Sequence, residues 1–469
     1  MDFWANFAEL KTELNTYDWE KEFPEIMQAG GFHVVIGNPP YLNITLISER
    51  ERAYFISNFI SLMMRFDAYG LFIERGINLL VDGAKLGMIV PSTLLNNLTF
   101  RNLRKMILDL TNPILIVNLG GKVFQKVNND TLIIMLRKGK SWNDLTTIFD
   151  VNEYGSKLDS ARKVATVDLN SLCKPPEYEF AIHTYNKKDS FIIEKSSHMV
   201  HIGDVCDYFQ GFVTGDNHAY RISPEELIEQ QLESEICKPS VSGNEISRYG
   251  KTDPKSLVIY LTKKHDLSKF PNIEKRLDHY KDKLSKKREV REGKQPWYSL
   301  HWPRNQADFE RNEKILVQKI RNLSLPRRIV ATLDENKIFA DSTINVFYPR
   351  DERYNIRYIL GVLNSSLMNK IFKDKYLDIT IKGAYISDIP LRAIDFADPQ
   401  DVARHDHMVS LVDSMLSLHK QLQEARTPHE QTALQRHIEA TDRQIDALVY
   451  ELYGLTEEEI RIVEGIHER

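Results

Sequence analysis

Cysteine, long hydrophobic runs and net charge are all scarce in this 469-residue sequence, and each scarcity excludes a class of protein. The three cysteines, Cys173, Cys206 and Cys237, lack the spacing of a metal site and are too few for a disulfide framework, which favours the reducing cytoplasm. No apolar run reaches the roughly 18 residues that indicate a membrane-spanning helix. Because the formal net charge is only −4, a surface that binds nucleic acid has to be local.

A glycine-rich turn is also missing from the beginning of the chain. No Gly-x-Gly follows an apolar run before Asn38, and the preceding residues leave too little chain for a βαβ nucleotide-binding unit of roughly 30 residues or more. No metal-ligand spacing is present, so we predict no metal site. A chain of this length is expected to form two or three domains.

The segment 32–41 predicts a strand followed by a rigid loop. Val34 to Ile36 form a short apolar run typical of a buried parallel strand, which stops at Gly37. Pro39 and Pro40 lack amide donors and cannot continue a central strand. The loop therefore follows the carboxyl end of a strand, where open α/β sheets bind their ligands.

The loop residues suit a planar ring that carries an exocyclic amino group. The side-chain carbonyl of Asn38 and the peptide carbonyl of Pro39 are two acceptors, and Tyr41 offers an aromatic face. Two acceptors that hold the amino hydrogens would free the nitrogen lone pair for attack, which is a preorganised electrostatic effect. The alternative interpretation is a proline-rich turn that only caps the strand.

The next hundred residues alternate between helical and extended patterns. Helices are predicted over 69–80 and 100–110, and strands over 85–90, 114–119 and 130–136, which indicates a mixed or parallel α/β sheet. Phe124 lies between the last two strands in a loop that is otherwise polar. It either anchors this loop on the core or has a functional role.

Three segments, 32–41, 67–91 and 120–136, resemble the catalytic half of adenine-N6 DNA methyltransferases, especially the TaqI-like and type IIG restriction–modification enzymes. The resemblance implies a partial Rossmann-like sheet and S-adenosylmethionine as methyl donor. It implies a catalytic loop of Asn38, Pro39, Pro40 and Tyr41, in which Asn38 and the Pro39 carbonyl hold the adenine amino group. Tyr41 and Phe124 would stack on the two faces of a flipped-out base. His33 departs from the aspartate of many relatives.

A larger departure concerns the cofactor. In this family a glycine-rich segment that binds S-adenosylmethionine precedes the catalytic loop, and no such segment is present before Asn38, so the cofactor-binding residues stay unassigned. This departure leaves three expectations. The cofactor-binding half is a separate chain, the sequence is a truncated gene product, or the protein binds DNA and has lost catalysis. Glu292-Gly293-Lys294 matches only a fragment of a nuclease metal motif and has no Pro-Asp at the right distance upstream. We therefore expect any nuclease activity to come from a partner.

A basic region follows a change of character near residue 200. Residues 261–330 contain 19 Lys or Arg against 9 Asp or Glu, which suits a phosphate backbone, although a solvated helix with compensating acids is the alternative. Four marker segments, at 210–215, 243–246, 296–298 and 363–365, resemble the TaqI-like target-recognition domain. The predicted contacts to double-stranded DNA are Lys286, Lys287, Arg288, Arg291, Arg304, Arg327 and Arg328.

The tail predicts a helical hairpin, because two segments with apolar residues at three- and four-residue steps flank Thr427-Pro428. The expected domains are the catalytic half (1–150), a linker (151–199), a mixed α/β target-recognition domain (200–395) and a C-terminal helical segment (396–469). The sequence thus predicts a cytoplasmic, site-specific adenine-N6 DNA methyltransferase of a restriction–modification or phage-defence system, or its catalytic and specificity part. The alternative is a catalytically inactive specificity subunit or remnant that needs a partner with the cofactor site.

Overall fold

The chain forms two compact units. The computed structural model describes residues 17–42, 48–61, 67–120, 131–140, 145–150, 162–169, 173, 175, 178–180, 199–250, 252–322, 325–351, 353–376 and 380–465. Unit 1 comprises Met1–Ser190 and Asp374–Asp378, and unit 2 comprises Phe191–Lys373 and Ile379–Arg469.

Unit 1 is an α/β unit around a six-stranded sheet. Its described strands are β1 Phe32–Gly37, β2 Leu80–Pro91, β3 Thr111–Gly120, β4 Thr131–Lys138, β5 Thr146–Asp150 and β6 Arg162–Val167. Its described helices are α1 Trp19–Glu22, α2 Pro24–Gln28, α3 Glu49–Asn58, α4 Ala68–Asn78 and α5 Arg101–Leu110. The predicted alternation of helices and strands is confirmed.

The sheet is mixed, with the order β1-β2-β4-β3-β5-β6. The pairs β1–β2 and β3–β5 are parallel, whereas β4 runs antiparallel to both β2 and β3. The apolar stripes of α4 and α5 share one buried core with β2 and β4, which includes Ile73, Ile107, Leu86 and Ile134. Gly76 allows α4 to lie close to the sheet, because a Cβ at this position would be 2.5 Å from Leu86 Cδ1.

Strand β1 differs from the prediction in its burial. It is parallel to β2, as expected, but it lies at the edge of the sheet and pairs with β2 alone among the described strands. Val34 is 56% exposed and Ile36 is 82% exposed. The prediction of a buried strand was therefore wrong for this face, because no described element covers these two side chains.

Unit 2 contains most of the remaining elements. Its strands are β7 Met199–His201, β8 Cys206–Gln210, β9 Arg221–Ile222, β10 Cys237–Val241, β11 Ser256–Ile259, β12 Lys314–Gln318, β13 Ala331–Asp334, β14 Phe339–Ala340, β15 Ile344–Pro349 and β16 Pro390–Arg392. They form sheets with the orders β14-β10-β11-β9, β13-β12-β15-β8 and β16-β7. The short helices that follow β7 are α6 Ile202–Val205, α7 Asn217–Tyr220, α8 Pro224–Glu229, α9 Pro271–Asp278, α10 Lys281–Leu284, α11 Arg288–Arg291 and α12 Gln306–Phe309.

The chain ends in helices. They are α13 Ile356–Asn364, α14 Ser366–Lys375, α15 Gly383–Ser387, α16 Pro399–Glu424, α17 Pro428–Leu452 and α18 Glu457–Glu464. The predicted hairpin of α16 and α17 is confirmed, with Met415 and Ile445 fully buried. Thr456 and Glu459 form a capping box before α18. None of the described helices is both long enough and apolar enough to cross a membrane.

Gly211 holds two sheets of unit 2 together by close backbone contact. Its N–H donates to the carbonyl of Ile344 at 3.0 Å, and the next residue, Phe212, donates to Ala340 at 3.0 Å. A Cβ at Gly211 would lie 2.1 Å from the carbonyl oxygen of Asp341, which is backbone and cannot rotate away. Only glycine fits this approach.

Gly211→Ala should therefore lower the free energy of unfolding of unit 2 by about 3 kcal/mol, the upper end of the range for overpacking. The matched control is Gly87→Ala, because a Cβ at Gly87 meets no atom within 4 Å. Scanning calorimetry of the full chain measures both variants. An unchanged unfolding temperature for Gly211→Ala would show that the backbone contact is not tight.

Candidate functional site

The loop 38–41 lies where β1 and β2 end together. Gly37 of β1 is paired with Met88 of β2 in parallel register, so both strands deliver their carboxyl ends to the same edge of the sheet. The Tyr41 hydroxyl donates to the carbonyl of Ile89 at 3.3 Å. Burial raises the pKa of Tyr41, so the phenol stays protonated and keeps this donor. The aromatic ring is thereby fixed beside the end of β2.

The predicted catalytic side chains differ in exposure. Asn38 and Pro40 are exposed, Pro39 is buried, and Tyr41 is half-buried. Among the described residues, none makes a hydrogen bond to the Asn38 side chain. The buried Pro39 ring fixes the backbone of the loop, and the Asn38 amide faces solvent with its acceptor available.

Helix α4 connects this loop to the segment after β2. The N–H of Ala68 donates to the carbonyl of Leu42 at 2.8 Å, which ties the end of the loop to the first turn of the helix. One residue later, Tyr69 is fully buried and its hydroxyl lies 3.1 Å from Thr93 Oγ1. The loops that follow the two strands are therefore held by one rigid helix.

Two buried charged residues support the same region, and sequence reasoning missed both of them. Glu74 is 2% exposed and accepts hydrogen bonds from the N–H groups of Ile60 and Ser61, each at 2.9 Å. Arg104 is fully buried and donates to the carbonyls of Leu94 at 3.0 Å and Asn97 at 2.8 Å. Both are charged residues inside the apolar stripe of a helix, and that break in the pattern was the available signal.

Phe124, the second predicted stacking residue, lies outside the described residues. The structure therefore provides no distance between Phe124 and Tyr41. Among the described residues, no group of three or more His, Cys, Asp or Glu side chains is arranged to hold a metal ion.

Four of the predicted basic residues lie in the short helix α11 or directly before it. Lys286, Arg288 and Arg291 are exposed, and Arg288 pairs with Glu292 at 2.6 Å. Lys287 is different, because its Nζ donates to the carbonyl of Ser299 at 3.0 Å and lies 5.2 Å from the centre of the Tyr220 ring. Burial lowers the pKa of Lys287 to about 8. Lys287 thus stabilises unit 2, whereas Lys286 and Arg291 are exposed to solvent and Arg288 lies on the surface paired with Glu292.

The other predicted basic residues are distributed over unit 2. Arg304 is exposed. Arg327 Nη2 lies 3.2 Å from Asp442 Oδ2, and its Nη1 donates to the carbonyl of Asn364 at 3.0 Å, so it joins the sheet region to helix α17. Arg328 has no exposed surface, and its guanidinium lies 5.8 Å from the centre of the Phe372 ring.

The predicted DNA contact by Arg328 does not fit this arrangement, because a phosphate cannot reach a side chain that is completely buried. Arg327 keeps some exposure but already has a carboxylate and a carbonyl as partners. A count of basic residues along the sequence cannot distinguish such structural arginines from surface ones, since burial depends on contacts that are distant in sequence.

Comparison with known proteins supports the resemblance that the motifs indicated. Residues 2–124 match the Eco57I restriction-modification methylase model, and residues 238–391 match the TaqI-like C-terminal specificity domain. The first segment includes the loop 38–41 and the strands β1, β2 and β3 of unit 1. The second lies in unit 2, apart from Asp374–Asp378, and runs from β10 to β16.

Two curated relatives cover most of this chain. It is 25% identical to the type II restriction enzyme and methyltransferase RM.Eco57I of Escherichia coli over 93% of this chain and 48% of that protein. It is 24% identical to the type II methyltransferase M.HindII of Haemophilus influenzae over 82% of this chain and 79% of that protein. The chain thus spans about half the length of the E. coli relative.

The fold is also similar to that of a solved enzyme. The type IIL restriction-modification enzyme MmeI, solved in complex with DNA, superimposes with a TM-score of 0.66 at 13% sequence identity. The match covers 96% of this chain and 58% of that chain. At this identity the likeness shows the fold alone, an α/β unit followed by a mixed unit and terminal helices.

Proposed function

Because the chain joins an Eco57I-type methylase segment to a TaqI-like specificity domain, we propose that it is the catalytic and specificity part of a site-specific adenine-N6 DNA methyltransferase. It would act in a restriction–modification or phage-defence system in the cytoplasm. The observation that carries this proposal is the loop 38–41. It places the open Asn38 amide and the fixed Tyr41 ring together at the carboxyl ends of two parallel strands.

The chemistry follows from the groups in this loop. An aryl amine is a poor nucleophile because its lone pair is delocalised into the ring. Asn38 Oδ1 and the Pro39 carbonyl would accept the two amino hydrogens, and they would stabilise the positive charge that develops on the nitrogen. Since Pro39 is buried, its carbonyl needs little reorganisation when the charge appears.

The target base has to leave the duplex before these acceptors can reach it. Flipping costs a few kcal/mol, and stacking on an aromatic side chain returns roughly 1–3 kcal/mol per base. Tyr41 would provide one stacking face, since its hydroxyl is anchored on Ile89 and its ring cannot swing freely. Phe124 would provide the other.

The described residues around β1 do not fit the whole of S-adenosylmethionine. In a parallel sheet both faces are normally covered, yet Val34 and Ile36 are largely exposed and no described strand pairs with the outer edge of β1. The described residues therefore form the amino-group side of the site and not a pocket for the methyl donor. We propose that the cofactor-binding half of the enzyme pairs with this edge and covers both side chains.

The chain alone should therefore bind S-adenosylmethionine weakly or not at all. Titration calorimetry with the purified chain measures this directly. The control is the same titration after addition of the cofactor-binding half, which should restore binding. Micromolar affinity of the isolated chain would contradict the proposed division of the site.

Unit 2 would provide the DNA contacts. Lys286, Arg288 and Arg291 lie close together on and before α11, and their exposed charges suit the phosphate backbone. Arg304 adds a further exposed guanidinium. The domain boundaries predicted from the sequence remain part of this proposal, with residues 200–395 as the target-recognition domain.

Replacing Lys286, Arg288 and Arg291 together by glutamine should weaken duplex binding and flatten its salt dependence. Each phosphate contact removed should reduce the slope of log affinity against log salt by about 0.9. The matched control replaces Lys420, Arg426 and Arg436, which are exposed on the hairpin of α16 and α17 and carry the same total charge. Fluorescence anisotropy at several salt concentrations gives the slopes. Equal slopes for the two triple variants would contradict a DNA surface at α11.

Asn38→Ala should separate binding from catalysis in the enzyme reconstituted with its cofactor-binding half. The variant should bind and flip DNA nearly normally but lose methyl transfer by about 100- to 1,000-fold, the effect of removing one preorganised partner. Tyr41→Ala should instead reduce the signal of a fluorescent base analogue at the target position, whereas Tyr41→Phe keeps the ring and should retain most of that signal.

Wild-type rates of methyl transfer in Asn38→Ala would show that the loop is only a structural turn. The alternative function, a DNA-binding specificity subunit without catalysis, would apply if the wild-type chain reconstituted with its cofactor-binding half transferred no methyl group. The observation that favours this alternative is the uncovered edge of β1. Methyl transfer from a labelled donor with the reconstituted enzyme distinguishes the two functions.

A further inference from the structure

Val213 and residues 301–304 form a rigid surface strip on unit 2, which we call the rim, and an exposed tryptophan lies in it. Trp302 is 45% exposed, yet its backbone is firmly paired, since its N–H donates to Val213 at 3.0 Å and the Val213 N–H donates back at 2.9 Å. His301 stacks on the indole with ring centres 4.5 Å apart, and its Nε2 lies 3.1 Å from Glu289 Oε2. The aromatic surface of Trp302 therefore has a fixed orientation.

Arg304, two residues later, has a strained backbone. Its φ is +66°, in the left-handed region that residues other than glycine, asparagine and aspartate seldom adopt. The fully buried Tyr260 holds this conformation, because its hydroxyl lies 2.7 Å from the carbonyl oxygen of Pro303 and 3.1 Å from that of Arg304. Strain of this kind is retained where the surrounding structure enforces it, often at functional sites.

The side chain of Arg304 is also directed by its neighbours. Its Nε donates to the carbonyl of Gly211 at 3.4 Å, and its guanidinium lies 5.8 Å from the centre of the Trp302 ring. Gly211 is itself locked against the backbone of Asp341. The guanidinium is thus positioned between a fixed carbonyl and a fixed aromatic ring.

The charge of Arg304 is not neutralised within the described part of the chain, where no carboxylate lies within the 4.0 Å of a salt bridge. Arg288 and Arg311, by contrast, pair with Glu292 at 2.6 Å and with Asp308 at 3.1 Å. An arginine that is held in place and left without a carboxylate is suited to an external acceptor.

The surroundings of this rim are polar. A cavity of about 300 Å³ beside it is lined by residues 212–217 and 341–343, and Val213 belongs both to this lining and to the rim. Thr214 Oγ1 donates to Asn217 Oδ1 at 2.7 Å inside the cavity. Polar walls favour a hydrated surface such as a DNA groove over an apolar protein partner.

We propose that Arg304 reads the edge of a guanine in the recognition sequence, with Trp302 as the wall that orients its guanidinium. This inference rests on the proposed function, in which unit 2 binds DNA. A phosphate contact requires only charge, which a flexible side chain such as Lys286 supplies. Bidentate contact to guanine O6 and N7 requires a planar guanidinium held in one orientation. The fixed backbone of Arg304 holds its guanidinium in this way.

The test selects bound duplexes from a random library with the full chain and sequences them. The wild-type chain should enrich a motif that contains a G·C pair. Arg304→Lys keeps the charge but loses the fork, and Arg304→Asn suits the left-handed backbone. Both variants should lose about tenfold to a hundredfold of the preference for G·C at one position, with the other positions retained. Arg304→Lys should also keep the wild-type salt slope.

The matched control is Arg311→Lys, at an exposed arginine that pairs with Asp308, which should leave every position of the motif unchanged. The unfolding temperatures of all variants show whether the fold is kept, and Arg304→Asn is the variant expected to tolerate the strained backbone. A wild-type chain that enriches no motif, a variant motif identical to that of the wild type, or an equal loss at all positions would each overturn the proposal. Selection does not involve methyl transfer. If the chain proved catalytically inactive but its Arg304 variants lost the preference for G·C at one position, the result would still support the role of Arg304.

Discussion

The open edge of β1 is the constraint on which unit 1 depends. A parallel strand satisfies its hydrogen bonds between two neighbouring strands and buries its side chains under elements that pack on its faces, and β1 has β2 alone as a neighbour among the described strands. Val34 and Ile36, three and one residues before the end of the strand, are also exposed, because no described element packs over their face. The loop 38–41 begins where this strand ends. An element that paired with this edge would therefore also border the loop.

Buried charges hold irregular segments of both units in place. In unit 1, Glu74 and Arg104 bind backbone groups of the segments near the sheet edge, so loops without regular structure keep a defined course. In unit 2, Lys314 and Asp334 are both fully buried and lie 2.5 Å apart, and Lys314 also donates to the carbonyl of Phe309 at 2.6 Å. A buried pair of this kind tolerates no loss of one partner, since the other charge would stay in the core.

The secondary structure could largely be predicted from local patterns. The helix expected over 69–80 spans 68–78, and the strand expected over 85–90 is the second half of a longer strand, 80–91. Thr427-Pro428 and the capping box at Thr456 mark helix ends correctly, because caps depend on residues within one turn. Burial of β1 could not be predicted in this way, because it depends on which element, distant in sequence, packs on its face.

The sequence by itself determined the loop Asn38-Pro39-Pro40-Tyr41 and its place at the end of a strand, because two prolines and an apolar run act locally. It also determined that basic residues concentrate between 261 and 330. Only the tertiary structure decided what each of them does. Arg328 lies in the core, Arg327 pairs with Asp442, Lys287 is bound to Ser299, and Arg304 is held exposed in a strained conformation by Tyr260. The physical reason is that charge is a property of the residue type, whereas burial and partners come from residues far away in the chain.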